Sequence, residues 1–361
     1  MRVAIIGAGV AGLGIGWRLA QAGADVTVFD RAQAGLGATS AAAGMLAPGA
    51  EFGDKKDAET DFAEHAAALW PDFARELEDL TGASLGYRRS GAYLLALDKD
   101  HAYLLRARNE CEFLDGDALR KREPLVAETT LGAAFVATDG LVDNRALARA
   151  LAQAFVKAGG KLSINEAVVS IESQADRAVA LRTAFHRFEA DAFLICAGAW
   201  SARIEGLPPD ILPSVKPVKG QMIALTPPSD VSLPSAILWG PSVYMVPRYD
   251  RLLIGATVEE TGFDTSLTAK ARSWLLKEAI ANAPSLSAWT LAEHWAGLRP
   301  GTPDGLPILG RTGLGGLYAA TGQFRNGILF APAIAEFLSG LILGQRSDMA
   351  AFDPMRFAGG L

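Results

Sequence analysis

The sequence predicts an α/β chain, α+β overall, with a parallel sheet buried on both faces and a second, mainly antiparallel sheet. Three stretches carry that expectation. Residues 3–30 read as strand, glycine turn, amphipathic helix and second strand in unbroken order. Residues 192–198 are a continuous apolar run ending in a small-residue turn at Gly198, the pattern of a parallel strand covered on both faces. Residues 215–258 give several short strands (218–225, 236–239, 243–246 and 252–256) separated by turn residues, as in an antiparallel sheet.

The N-terminal stretch is the most informative. Val3, Ala4, Ile5 and Ile6 are an apolar run of strand length, and Gly7, Gly9 and Gly12 follow with the spacing G-x-G-x-x-G. The helical segment 13–22 has Trp17 and Leu19 among its apolar positions, and the strand 25–29 ends in Asp30. Gly7 permits the tight strand-to-helix turn, Gly9 lets backbone approach a pyrophosphate, and Gly12 lets helix and strand pack closely. The helix N-terminus presents free N–H groups and its positive dipole end to phosphate. Asp30 is placed to accept hydrogen bonds from an adenosine ribose. A G-x-G-x-x-G alone is a weak signal, because glycine-rich turns are common. Strand, helix, second strand and acid in register make it a Rossmann-like dinucleotide site.

At 361 residues the chain has room for two domains. A net charge of −6 with no Lys/Arg run argues against nucleic acid and gives a membrane surface little to attract. Cys111 and Cys196 lie far apart with no C-x-x-C, and the histidines are scattered, so no metal site is expected. Both thiols read as small apolar groups in a reducing compartment. Arg2 before an apolar stretch has the look of a signal peptide, yet the glycine turn and the polar pair Arg18 and Gln21 fit strand–turn–helix better. Residues 330–343 are apolar but well short of the roughly 20 needed to span a bilayer, and read as a buried helix. The expectation is a soluble, cytoplasmic protein with no membrane span.

Between Asp30 and Leu46 lies a small-residue segment that includes Ala38, Thr39, Ser40, Ala41, Ala42, Ala43, Gly44 and Met45. Small side chains at this density imply that something packs closely on the backbone, and Met45 and Leu46 make it too apolar for a solvated linker. Thr39 or Ser40 could cap a short helix and meet phosphate. A long helix over 55–80 follows, then strands at 87–97, 112–114 and 132–137 with helices over 99–108 and 117–123 between them. An amphipathic helix over 143–158, with Leu147, Leu151 and Phe155 four apart, is ended by Gly159 and Gly160. It leads through strands 161–164 and 168–172 and a hairpin (178–182 and 186–189) to the buried strand, a return to the dinucleotide domain. Pro208, Pro209, Pro213 and Pro217 mark the passage to the antiparallel series. A helix over 267–283, strands at 291–298, 307–310 and 317–321, and a terminal helix over 327–343 complete the chain.

Two dense motifs lie near the C-terminus, one around Gly297, Leu298, Arg299, Pro300, Gly301 and Thr302, the other running from Thr321 and Gly322 to Gly327. In the second, a strand enters a glycine turn and opens a helix, whose positive N-terminus would stabilise negative charge such as that on a reduced flavin ring. Arg299 and Arg325 are flanked by apolar and glycine residues rather than carboxylates. A guanidinium in such surroundings needs an anion, supplied either by a protein Asp or Glu or by a substrate carboxylate. Tyr244, a further donor on a nearby predicted strand, favours the carboxylate.

Taken together, the N-terminal fingerprint, the 41–46 segment, Pro217-Val218-Lys219-Gly220-Gln221, Tyr244-Met245-Val246-Pro247-Arg248, the 297–302 segment and Gln323-Phe324-Arg325-Asn326-Gly327-Ile328-Leu329 resemble the glycine oxidases, the thiamine-pathway branch of the FAD-dependent D-amino-acid oxidase family. The likeness runs in order over nearly the whole chain, and its last two motifs are far more specific than the glycine fingerprint. It implies a D-amino-acid oxidase-like fold, with an FAD domain assembled from 1–47, 140–212 and 303–361 and a substrate domain from 48–139 and 213–302. It implies that FAD is held by Gly7, Gly9, Val10, Ala11, Gly12, Asp30, Arg31, Ala38, Thr39, Ser40, Ala43, Gly44, Met45, Val168 and Gly198, and by the run Gly322, Gln323, Phe324, Arg325, Asn326, Gly327, Ile328 and Leu329. Arg299, Tyr244 and Arg325 would hold the amino acid's carboxylate, with Met45 also in the catalytic set. Ser242, two before Tyr244, stands where some glycine oxidases carry histidine, which leaves open the residue facing the amine and hence the exact substrate.

In such an enzyme the flavin does the chemistry and the protein supplies position. A bidentate grip by Arg299, with a hydrogen bond from Tyr244, would fix Cα–H beneath flavin N5 for hydride transfer from the neutral amine. Orientation of this kind can supply on the order of 7–11 kcal/mol at best. No Ser/His/Asp set and no general base is evident. Hydrolysis of the imine would give glyoxylate and ammonia from glycine, O2 would reoxidise the flavin to yield H2O2, and the product would supply thiamine thiazole synthesis. The FAD is expected to be non-covalent, since neither cysteine lies in the 320–327 turn and the first histidine is His65. A homo-oligomer, dimer or tetramer, is compatible with the resemblance. Two alternatives stay open. One is a D-amino-acid or sarcosine oxidase or dehydrogenase of the same family. The other is a non-catalytic or NAD-binding Rossmann protein; against a pyridine-nucleotide reductase, Gly313-x-Gly315 has Tyr318 in the third glycine's place.

Overall fold

Val3, Ala4 and Ile5 are fully buried and Ile6 nearly so, because Arg2–Ile6 is an inner strand of a six-stranded sheet. A computed structural model describes residues 1–109, 111–208, 211–212 and 214–357; the proline-marked passage at Pro209 and Pro213 lies outside these residues. The strand order is Ile308–Arg311, Leu317–Thr321, Ala192–Ile195, Arg2–Ile6, Asp25–Asp30 and Lys161–Ile164. All pairs are parallel except the antiparallel edge strand Ile308–Arg311. Helices Val10–Gln21, Ala58–Thr81, Asn144–Lys157 and Ala331–Ile342 share one core with this sheet. A three-stranded antiparallel sheet, Val168–Gln174, Arg177–Thr183 and Arg187–Glu189, packs on its other face. The run 192–195 is buried for that reason.

The second sheet has eight strands in the order Thr290–Gly301, Lys216–Thr226, Arg251–Gly255, Tyr244–Arg248, Ile237–Trp239, Ala92–Ala96, Gly132–Val136 and Glu112–Asp115. Only Ile237–Trp239 and Ala92–Ala96 pair in parallel. Helix Ala269–Asn282 covers one face through Leu275 and Ala279. The other face packs Met222, Ile237 and Val246 with Ala43 and Ala47.

Two helices differ from the sequence expectation. The long helix starts at Ala58, where the Asp57 carboxylate accepts the Thr60 N–H at 2.9 Å, and a short helix, Pro48–Phe52, precedes it. Helix Ala58–Thr81, expected with the substrate domain, packs Phe62, Trp70, Phe73 and Leu77 into the first core. The terminal helix starts at Ala331 rather than 327, with Pro332 in its first turn, the only helical turn where a missing N–H costs nothing. Residues 327–330 form a turn instead, closed by the Phe330 N–H on the Asn326 carbonyl at 2.9 Å. No helix among the described residues is long and apolar enough to cross a membrane.

Short helix Pro48–Phe52 is anchored from beneath. Asp139, fully buried, accepts the Gly49 and Ala50 N–H groups at 2.9 and 2.8 Å. Burial pushes its carboxyl up to about 7, against the pull of those donors and of Arg108. An unfolded carboxyl titrates near 4, so between about pH 4 and pH 7 the folded chain holds a proton the unfolded chain has released. This group's stabilisation is complete below that window and lost as pH rises through 7. Chemical denaturation from pH 4 to 8 is expected to show wild type losing stability relative to Asp139→Asn as pH rises; a constant difference would place the Asp139 pKa near the ordinary value.

Candidate active site

The glycine turn opens onto a cavity of about 540 Å³ along the C-terminal ends of the parallel strands, a size usual for small-molecule and cofactor sites. Gly7 has φ +111° and packs on the Cys196 carbonyl, where a Cβ would fall at 2.3 Å. Gly12 is not on the cavity's wall; a Cβ there would lie 1.9 Å from the Gly7 carbonyl oxygen, so its part is helix–strand packing. Gly9 faces open space, where a Cβ would meet only the Thr39 hydroxyl, at 3.3 Å. The helix cannot satisfy its first N–H groups internally. That of Val10 is taken by Thr39 Oγ1 at 3.0 Å, while Gly9 and Ala11 face the cavity.

Asp30 also lines this cavity, and its two oxygens accept the Ala8 and Ala32 N–H groups at 2.7 and 2.8 Å. It therefore braces the glycine turn from the cavity wall. Arg31 stacks its guanidinium 3.5 Å above the Trp200 ring at the cavity edge, a contact with no signal in the sequence. Val168 and Gly198 lie on the same wall. Ser40 does not; successive residues of the short helix Ala38–Ala41 point about 100° apart, so Thr39 faces in while the Ser40 hydroxyl bonds back to the Gly37 carbonyl. Gly322, at φ +77°, shapes the turn and is likewise off that wall.

A second cavity of about 240 Å³ adjoins the first. The two share Ala38, Ala42, Leu298, Phe324, Arg325 and Ile328 as walls. Ala43, Gly44, Met45, Asn326 and Leu329 face the smaller one, Gln323 and Gly327 the larger. Phe324 holds φ +45°, a backbone state bulky residues rarely adopt and one concentrated at functional sites. Its N–H donates to the Pro300 carbonyl at 3.1 Å. Trp70 Nε1 donates to the Leu329 carbonyl at 2.9 Å, fixing the turn from behind. Gln323 Nε2 is buried without a partner among the described residues.

In the smaller cavity Arg299 lies flat over Gly220 and donates through Nη1 to the Thr257 carbonyl at 3.2 Å. Burial pushes the Tyr244 phenol above its usual range, the nearby Arg299 guanidinium pulls the other way, and the O–H donates to Met222 Sδ at 3.8 Å. The phenol is thus a neutral donor. Arg325 is half-exposed and its Nε sits 2.8 Å from Glu51 Oε1, so here the protein carboxylate is its partner. Glu51 was not among the expected residues, and burial raises its carboxyl against the pull of Arg325. Met222, Trp239 and Ala256, also unanticipated, give the cavity apolar walls. Ser242 is exposed and lines neither cavity. No cluster of three or more metal-ligating side chains occurs among the described residues.

The features of the larger cavity fit a dinucleotide: a helix N-terminus with open N–H groups, a glycine with room for pyrophosphate, a carboxylate at the end of the second strand, and the buried Gln323 Nε2, unpartnered among the described residues. The profile of the FAD dependent oxidoreductase family matches residues 2–341. The chain belongs to that family. It is 35% identical to the glycine oxidase of Geobacillus kaustophilus, over 99% of this chain and 97% of that one. The crystal structure of that organism's glycine oxidase superposes with a TM-score of 0.91, covering 98% of this chain and 99% of the other at 34% identity. The chain is also 36% identical to the bifunctional protein ThiO/ThiG of a Synechocystis, over 98% of this chain but 54% of that protein, so it spans about half the relative's length.

The open space at Gly9 generates a direct prediction. Gly9→Val is expected to fold and yet to purify without flavin, because the branched side chain fills the pyrophosphate's approach. Full flavin absorption in folded Gly9→Val would put the dinucleotide elsewhere.

Proposed function

We propose that this chain oxidises glycine, or another small amino acid, with FAD as cofactor, releasing glyoxylate and ammonia from glycine and H2O2 from O2. The observation that carries the reading is the common wall of the two cavities: a flavin ring reaching Ala42, Phe324 and Ile328 from one side would meet a substrate held by Arg299 and Tyr244 on the other. FAD, when bound, supplies the hydride acceptor at that wall. The chain's own residues supply position. Arg299 receives the carboxylate with its planar fork, and Tyr244 adds its O–H. Met45, Met222 and Trp239 keep water from the reacting carbon, while Glu51 holds Arg325 at the mouth. The relatives named glycine oxidase support glycine. The likeness to the ThiO/ThiG protein supports a role for the product in thiamine thiazole synthesis. The cytoplasm is the proposed setting, on the sparse cysteine content of two in 361 residues.

The proposed division keeps 1–47, 140–212 and 303–361 with the cofactor and 48–139 and 213–302 with the substrate, helix Ala58–Thr81 linking the two. A second reading, sarcosine or a small D-amino acid as preferred substrate, is favoured by the apolar walls at Met222, Trp239 and Ala256, which could face an added methyl group. A peroxide assay across glycine, sarcosine, D-alanine and D-proline ranks the two; no peroxide from any of them would remove both.

Arg299→Ala is expected to weaken carboxylate binding by roughly 2–5 kcal/mol, the scale for truncating one partner of a buried charge pair, with flavin content little changed. Arg299→Lys recovers only part, since an ammonium lacks the two-point grip. Glycolate titration of the flavin spectrum beside a melting curve checks both, and undiminished binding in Arg299→Ala would take Arg299 out of the site.

We further read the FAD as non-covalent, because burial pushes the thiol of Cys196, the one cysteine on the larger cavity's wall, far up and an undissociated thiol is a poor nucleophile. Acid precipitation is expected to leave the yellow colour in solution; colour in the pellet would show a covalent bond.

A further inference from the structure

The 217–221 motif does more than border the substrate cavity. It lies on strand Lys216–Thr226, where Val218 pairs with Arg299 and Gly220 with Gly297. Alternate residues of a strand face opposite sides. Gly220 shares the face of Arg299, and a Cβ there would fall 2.3 Å from Arg299 Nη1. Lys219 and Gln221 face the other way and are buried, 1% and 0% exposed.

A buried ammonium is costly unless paired. Lys219 Nζ lies 3.5 Å from Asp264 Oδ2 and 3.8 Å from Glu259 Oε2. Gln221 Nε2 donates to Glu259 Oε1 at 2.9 Å, and its Oε1 accepts the Thr268 N–H at 3.0 Å and faces His294 Nε2 at 3.1 Å. Thr257 Oγ1 accepts the Gln221 N–H at 2.8 Å and donates to Glu259. The backbones of Lys219 and Glu259 exchange two hydrogen bonds of 2.9 Å, and Thr257 N–H donates to the Gln221 carbonyl at 3.2 Å. The layer clamps residues 257–259 against the strand. On the opposite face, the carbonyl of that same Thr257 receives Arg299 Nη1.

We propose that Lys219, Gln221, Glu259 and Thr257 are positioning residues for Arg299, acting through the Thr257 carbonyl. A guanidinium lying over glycine has no side-chain wall beneath it, so its acceptors set its direction. The proposal rests on Arg299 as the carboxylate anchor and deepens that reading.

The test titrates holoenzyme with glycolate through the flavin spectrum, for Lys219→Met, Lys219→Arg, Thr257→Val and Arg299→Ala, with flavin content and melting temperature measured for each. Lys219→Met and Thr257→Val are expected to bind glycolate about 10-fold more weakly or worse, at wild-type flavin content. Lys219→Arg restores most of the affinity, and in the two weak variants KM for the amino acid rises more than kcat falls. If Lys219→Met does not fold, Thr257→Val decides by the same criterion. Wild-type glycolate affinity in the folded variants, with only a lowered melting temperature, overturns the positioning role. Undiminished binding by Arg299→Ala overturns the carboxylate reading beneath it.

Discussion

One half-buried guanidinium, that of Arg299, sets the terms for the substrate side of this protein. Arg248 has Asp143 at 3.0 Å, Arg325 has Glu51 at 2.8 Å, and Lys219 has two carboxylates within 4 Å. Among the described residues Arg299 has instead a backbone carbonyl, the Phe324 ring at 6.0 Å and a neutral phenol beside it. Charge in apolar surroundings is stable only when its hydrogen-bonding groups are met. Much else follows from keeping that cation in place and open: glycine at 220 where it lies, glycine at 297 where Ala41 presses close, and a phenol held un-ionised beside it.

The small-residue segment is the seam between the two cavities. Distant side chains hold it by its carbonyls, Arg145 Nε on that of Ser40 at 3.2 Å among them. Asn144 Nδ2 donates to Thr39 at 2.7 Å, Trp295 Nε1 to Ala41 at 3.0 Å, and Arg248 Nη2 to Ala43 at 2.7 Å. These come from helix Asn144–Lys157 and from two strands of the second sheet. Small side chains let a ligand approach the backbone, while the staples limit how far the backbone gives. Arg248 serves both sheets at once, since its carboxylate partner Asp143 caps helix Asn144–Lys157 through the Arg145 and Ala146 N–H groups. Preorganisation of this kind is what an orientation-driven reaction requires.

The parts legible in the sequence were those whose cause is local. The glycine fingerprint works through adjacent residues, so Gly7, Gly9 and Asp30 could be placed from their spacing. Thr39 was expected to cap a short helix and meet phosphate; it lines the larger cavity, and its hydroxyl takes the Val10 N–H of the neighbouring helix, a role set by where the segment folds back. Glu51 was invisible because nothing near Arg325 in sequence announces a carboxylate arriving from the short helix Pro48–Phe52. Trp239 and Met222 looked like ordinary strand residues; only strand pairing, Trp239 opposite Tyr244, shows that they share the cavity. Ser242 raised a question about the amine that its exposed position does not answer. The late start of the terminal helix had a visible cue in Pro332, outweighed in the sequence by the apolar run around it.

The most direct test of this account is a crystal structure of the protein with FAD and glycolate bound. The account predicts the glycolate carboxylate on Arg299 and Tyr244, with its Cα toward a flavin ring lying along Ala42, Phe324 and Ile328. A flavin ring distant from that wall, or a carboxylate bound away from Arg299, would contradict it.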